Sequence, residues 1–236
     1  MAAAPPQRRL PARTAGAGGP GTRERAAQAT RDGILRAALE VFARHGYDGG
    51  RIEQISKAAG SYDRMIYYYF GSKEQLFVEV LEEIYRRFNE AEAALAIDLD
   101  RPAEALETVI RFVCGYYRAH PEFVTLLNNE NLHQGRHIAR SQRAREYSSP
   151  VIGAVGAILA SGAKQGVFRA DVRARDVYLM IASMGYFHQS NRYTLSAFLG
   201  EDLGAAEVQA QWERFVIEAV RRMVSAAPAQ HRASGC

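Results

Sequence analysis

From Arg25 onward, apolar residues recur at three- and four-residue steps almost without a break, and this period limits the chain to helices. Ile34, Leu35, Ala38, Leu39 and Phe42 put one apolar face on a first helix over about 27–45, with Gly46 as its stop. Ile52, Ile55, Ala58 and Ala59 repeat the spacing on a much shorter helix that ends at Gly60. A third, about Tyr62 to Tyr69, closes at Gly71, and Ser72 then caps a longer helix over about 73–96 with Gln75 as the return half of a capping box. Further helices are expected near 102–119, 121–133, 137–164, 173–189 and 206–224. Pro102 and Pro121 suit helix starts, whereas Pro150 is expected to kink a long helix. Period-two alternation is not sustained anywhere, so the chain reads as all-α.

With 236 residues, 47% of them hydrophobic and 24% charged, the chain has enough apolar surface for one large core or two small ones. The net charge of +4 is uneven: residues 1–31 carry six arginines against Glu24, and the remainder is slightly acidic. Residues 1–24, rich in Pro, Gly, Ala and Arg, are expected to be a disordered basic arm, and 228–236 a disordered tail. The arm reads as an electrostatic tether to phosphates or as a silent leader. Cys114 and Cys236 give no disulfide framework. No run approaches the roughly 20 apolar residues of a membrane span, and no secretory signal opens the chain, so a cytoplasmic protein without a membrane partner is expected.

The two short helices joined at Ala59-Gly60-Ser61 make a helix-turn-helix, whose second helix enters the DNA major groove N-terminus first. Tyr62, Asp63, Arg64 and Met65 then face base edges. Arg64 is suited to guanine O6 and N7, and Asp63 to a cytosine amino group. Ile66 and Phe70, one turn apart, point inward, while Tyr67 and Tyr68 bring phenols to the phosphates. Lys73 adds a charge beside the free N–H groups of the next helix, a seat for a phosphate. Tyr69 is expected in the core.

The stretch "IEQISKAAGSYDRMIYYYFGSKEQLF" resembles the signature of the TetR family of one-component transcriptional regulators, over about residues 28–88. By position, the resemblance assigns Tyr62 to Met65 to base reading and Tyr67, Tyr68 and Lys73 to phosphates. It departs from the family pattern at Ser61, at Asp63-Arg64, and at Gly50-Arg51, where the usual Ser/Thr cap is missing. Arg51 is still expected to reach a phosphate. The resemblance implies an N-terminal three-helix DNA-binding domain (25–88) and a C-terminal helical domain for ligand binding and dimerisation (89–227). It implies a homodimeric repressor that a small-molecule effector releases from double-stranded operator DNA. "NNENLHQGRH" and "YLMIASMGYFHQSNRYTLSAFLG" are similar to the subgroup regulating nitrogen-heterocycle and aromatic catabolism, which suggests a heteroaromatic acid or a pyrimidine as effector.

Asn128, Glu130, Asn131 and His133 interrupt an otherwise apolar helix, so each needs a hydrogen-bond partner. Tyr117, Asn128, Asn131, His133, Phe187 and His188 are the expected effector contacts. Glu130, His133 and His137 share one helical side, but Gly135 interrupts it and no cysteine lies near, so neither a metal nor another cofactor is expected. Val177, Met180, Ile181 and Met184, with a second stripe from Val208 to Val220, make helices 173–189 and 206–224 the expected dimer interface or, alternatively, part of the subunit's own core. An enzyme using Ser148, Ser149, His133 or Cys114 lacks every nucleophile-elbow, phosphate-loop or dinucleotide fingerprint. A helical interaction module without a DNA role leaves residues 58–77 unexplained.

Overall fold

The computed structural model describes residues 21–147 and 149–226. They form ten α-helices: α1 (Thr22–Gly49), α2 (Ile52–Ala58), α3 (Asp63–Phe70), α4 (Lys73–Ala93), α5 (Pro102–Ala119), α6 (Pro121–Leu132), α7 (Ser149–Lys164), α8 (Ala174–Ser190), α9 (Arg192–Leu199) and α10 (Ala206–Val224). Among the described residues the only β-type pairing is an isolated bridge between Phe168 and Ser225, which ties the end of α10 to the turn after α7. The all-α expectation is met.

Helices α1 to α3 pack around Ile34, Phe42, Ile55 and Ile66, all fully buried, and α4 carries that core onward through Leu76, Phe77 and Leu81. Leu106, Ile110, Leu126, Ile158 and Ile181 fill the C-terminal bundle of α5 to α8. Buried residues connect the two parts in one continuous cluster. α4 belongs to both, so a tilt of this helix is felt in both.

Several boundaries differ from the sequence reading: the helical turns of α1 resume beyond a non-helical Gly46, where the stop was expected, and run to Gly49, and α4 ends at Ala93 rather than near 96. Helix α1 begins at Thr22 rather than near 27, because the Glu24 carboxylate accepts from the Gly21 N–H at 3.0 Å and closes the first turn. Residues 22–24 of the expected disordered arm are thus helical; residues 1–20 of it, and the tail at 228–236, lie outside the described residues. The helix expected over 137–164 is broken: short 3-10 turns occupy Ile138–Arg140 and Ala144–Tyr147 before α7 starts. The buried Glu130 carboxylate accepts from the His137 and Ile138 N–H groups, which holds the chain folded against α6, and Pro150 falls in the first turn of α7. A further difference is α9, only eight residues long, between the helices expected over 173–189 and 206–224.

Caps follow chemistry that the spacing only half indicated. Ser72 Oγ accepts from the Gln75 N–H at 3.0 Å, as expected for α4, without the return bond of a full capping box. At α2, where a Ser or Thr cap is missing, the Gln54 carboxamide accepts from the Arg51 N–H at 2.8 Å and secures the start.

Candidate functional site

The first site is the exposed edge of α2 and α3. Gly60 turns the chain with φ +60°, a conformation that disfavours side chains with a Cβ, and the Ser61 N–H donates to the Ser56 carbonyl at 2.9 Å. Ile66 and Phe70 face inward as expected. Tyr62, Tyr67 and Tyr68 stand out into solvent, Tyr68 at 77% exposure. The Arg64 guanidinium lies 5.3 Å from the Tyr62 ring centroid, a cation–π contact that pre-positions both side chains at the N-terminus of α3.

The other two predicted base-facing residues sit further back. Met65 packs on the core, and Asp63 commits Oδ1 to the Ser56 hydroxyl at 2.5 Å, bracing α3 against α2. Tyr69 is half-buried against Phe70. Arg51 is exposed, whereas Lys73 is half-buried with its ammonium 4.6 Å from the Tyr47 ring centroid, and burial lowers its pKa.

Tyr47 also marks the junction with the C-terminal bundle. Its N–H donates to Asn129 Oδ1 at 2.9 Å, and its ring lies 4.3 Å from that of His137. Gly46, at φ 69° and ψ 179°, lets the Asn129 amide approach so closely that a Cβ would stand 2.6 Å from Nδ2. That backbone region is essentially restricted to glycine. His137 is fully enclosed, with Nδ1 on Glu130 Oε2 at 2.7 Å, and His133 Nε2 stands 3.5 Å from Asp48. Arg140 pairs with Glu74 in the first turn of α4. Thus α6 and the turn after it grip the N-terminal helical unit beside Lys73.

The opposite side of α6 faces a cavity of about 440 Å³. Phe123, Leu127 and Asn131, at four-residue steps, line it from α6; Tyr85, Phe88 and Asn89 from α4; Tyr178, Ala182, Ser183 and Tyr186 from α8; and Tyr117 from α5. Rings crowd the wall: Phe88 stacks on Phe123 at 5.5 Å and on Tyr117 at 6.3 Å. Burial, aided by neighbouring phenols and Glu130, pushes the Tyr85 phenol up to about 12. This volume and this mix of rings with a few polar groups suit a small ligand.

A third surface lies across α8, α9 and α10. Phe187, Leu199, Trp212 and Phe215 line an apolar groove, with Phe187 and Phe215 more than half exposed. His188 stacks on Trp212 at 5.0 Å, and burial lowers its pKa. Phe198 and Tyr193 project from α9, none of whose residues is buried. Val177, Ile181, Val216 and Val220 from the two predicted stripes instead close the subunit's own core.

Comparison with known proteins identifies the architecture. Residues 34–80 match the family described as bacterial regulatory proteins, tetR family, and residues 102–220 match the tetracyclin repressor-like C-terminal domain. The HTH-type transcriptional repressor NicS of Pseudomonas putida is 51% identical over 202 residues, 86% of this chain and 95% of NicS. This chain belongs to the TetR family. The HTH-type transcriptional regulator RutR of Escherichia coli is 36% identical over 112 residues, 48% of this chain and 52% of RutR. A TetR transcriptional regulator from Chloroflexus aurantiacus shares the fold with a TM-score of 0.62 at 21% identity, covering 86% of this chain and all of that structure.

The chain is therefore a ligand-responsive DNA-binding transcriptional regulator of the TetR family and not an enzyme. No helix among the described residues is long and apolar enough to cross a membrane. Of the effector contacts expected from the sequence, this TetR chain brings Tyr117 and Asn131 together at the cavity. Asn128 lies just behind the wall, where its carboxamide oxygen accepts from the Tyr186 phenol and from Ser190. His133 is displaced to the domain junction because α6 ends at Leu132 and its ring turns toward Tyr47 and Asp48. Phe187 and His188 are displaced to the groove, about one and two residue steps around α8 from Tyr186. The sequence reading missed Tyr85, Asn89, Tyr178 and Tyr186, whose helical spacing made them look like ordinary core.

Proposed function

We propose that this TetR regulator is a homodimeric repressor, with Tyr62 and Arg64 reading bases and Arg51, Tyr67, Tyr68 and Lys73 holding phosphates. The dimer pairs α8 and α10 across the Phe187–Trp212–Phe215 groove, and on DNA its two recognition helices must meet half-sites about one helical turn, ~34–36 Å, or a multiple of that apart. The effector is a small planar ring compound, a heteroaromatic acid or a pyrimidine, seated in the cavity between α4, α5, α6 and α8.

One observation carries the mechanism: α6 lines the cavity through Phe123, Leu127 and Asn131 while its other side holds Tyr47 through Asn129. A ligand that prefers one setting of α6 and α4 shifts Tyr47, and with it Lys73. It lowers DNA affinity only by its differential affinity for the two settings, so a 100-fold loss requires about 2.7 kcal/mol. Operator DNA then weakens effector binding by the same factor.

The test begins with an operator selected from random duplexes, followed by titration of heteroaromatic acids and pyrimidines with and without that duplex. A compound bound in the cavity is expected to bind less tightly to the operator complex. Equal affinity in both titrations would exclude release by that compound.

A further inference from the structure

Charges of both signs gather around the Tyr47 ring, and they do not balance. Of the two carboxylates there, Glu74 pairs with Arg140, and Asp48 faces His133 Nε2 at 3.5 Å. Two cations are left over. The Lys73 ammonium stands 4.6 Å from the ring centroid and the Arg136 guanidinium 5.8 Å from the same centroid, and neither forms an ion pair among the described residues. Two like charges sharing one ring repel unless an anion from outside joins them. They also come from different parts of the chain. Lys73 opens α4, directly after the recognition helix, whereas Arg136 lies just past the end of α6.

Arg136 is anchored at one end and free at the other. Its Nε–H donates to His137 Nε2 at 3.3 Å, and His137 Nδ1 lies 2.7 Å from Glu130 Oε2. A guanidinium only donates, so Nε2 is the bare nitrogen and the ring proton sits on Nδ1, against Glu130. His137 is itself fully enclosed, packed edge-on to Phe77 and tilted over Tyr47. The anchor occupies only the Nε–H of an otherwise exposed side chain. The two terminal amino groups keep the fork geometry that suits a phosphate.

We infer that Arg136, from the effector-binding part of the chain, grips an operator phosphate next to the one that Lys73 holds. This rests on the proposed placement of Lys73 on the DNA backbone. The two side chains then form a clamp with one jaw on each side of the joint. Because α6 lines the cavity through Phe123, Leu127 and Asn131, a shift of α6 draws the Arg136 jaw off the strand directly.

The test is fluorescence anisotropy of the full chain on an operator selected from random duplexes, across a salt series. In Arg136→Gln the slope of log affinity against log salt should fall by about 0.9, as it should in Lys73→Ala, so an approximately fourfold rise in salt costs wild type roughly 3.5-fold more affinity than either variant. Arg136→Lys, which keeps the charge, should restore most of the slope. Single phosphates of the same duplex are then neutralised one at a time as methylphosphonates. At one position wild type should lose affinity while Arg136→Gln loses none. A full slope in Arg136→Gln beside a reduced slope in Lys73→Ala overturns the inference and leaves the Lys73 seat standing. A full slope in both variants overturns the seat as well. Weaker binding by Arg136→Gln with a full slope and the wild-type methylphosphonate pattern makes Arg136 a support for His137 only, which also overturns the inference.

Discussion

Replacing Glu92 with glutamine should make the ligand-free protein more stable, by an amount that grows with pH. Burial raises the carboxyl from its ordinary 4.5 to about 7. Folding therefore favours the protonated form, so the folded state binds more protons than the unfolded one between those values. Stability is retained below the unfolded pKa and falls as pH rises toward 7, with the whole penalty present above it. At about 1.36 kcal/mol per pKa unit, the penalty comes to about 3 kcal/mol at pH 8 and stays under about 1 kcal/mol at pH 5. Glutamine has a similar shape and no titrating proton, so it escapes this term. Urea unfolding of both proteins at pH 5, 6, 7 and 8, at one protein concentration and ionic strength, gives the difference directly. The gain should open steadily with pH. A constant difference, or a variant less stable than wild type at pH 8, would mean that the carboxylate has a partner in the folded protein and would refute the reasoning.

Three further outcomes follow from the geometry. Lys73→Ala should weaken binding to all duplexes alike, whereas Arg64→Ala should relax preference at one base-pair position by roughly 1–3 kcal/mol, as measured by competition between operator variants. Asn129→Ala strands the Tyr47 N–H, which should cost about 1–3 kcal/mol in denaturant unfolding and reduce the ratio of effector affinities with and without operator. Phe215→Asp places a charge in the apolar groove and should shift the protein toward monomer in analytical ultracentrifugation while Arg64 and Tyr62 remain in place.

Where function depends on local spacing, the sequence was readable. Ile66, Phe70, Tyr67 and Tyr68 occupy the expected sides of α3 because a two-turn helix packed on α1 leaves little freedom. The split among Tyr62 to Met65 was not readable: it depends on Ser56, seven residues from Asp63, turning its hydroxyl across the turn. The cavity was harder still. Its wall comes from four helices, and whether Tyr178 or Phe187 faces it depends on the rotation of α8, set by packing on α5 and α7. His133 was misplaced for a local reason: α6 stops one residue short, and Glu130 folds the following chain back. The same carboxylate ended the expectation of one long helix over 137–164.

The junction at Tyr47 sets a limit on building hybrid regulators. Exchanging reading heads between relatives would give a sensor a new address on DNA, and the α4 helix, which belongs to both parts, is the obvious place to cut. Here such a cut separates Gly46, Tyr47 and Lys73 from Asn129, Glu130, His133 and His137, which were shaped against one another. A transplanted head with any other residue at position 46 would meet the Asn129 amide, and one without Tyr47 would leave His137 facing a gap. Hybrids that carry both halves of this joint from the same parent should respond to their inducer; those that mix the halves should bind DNA and stay deaf to it.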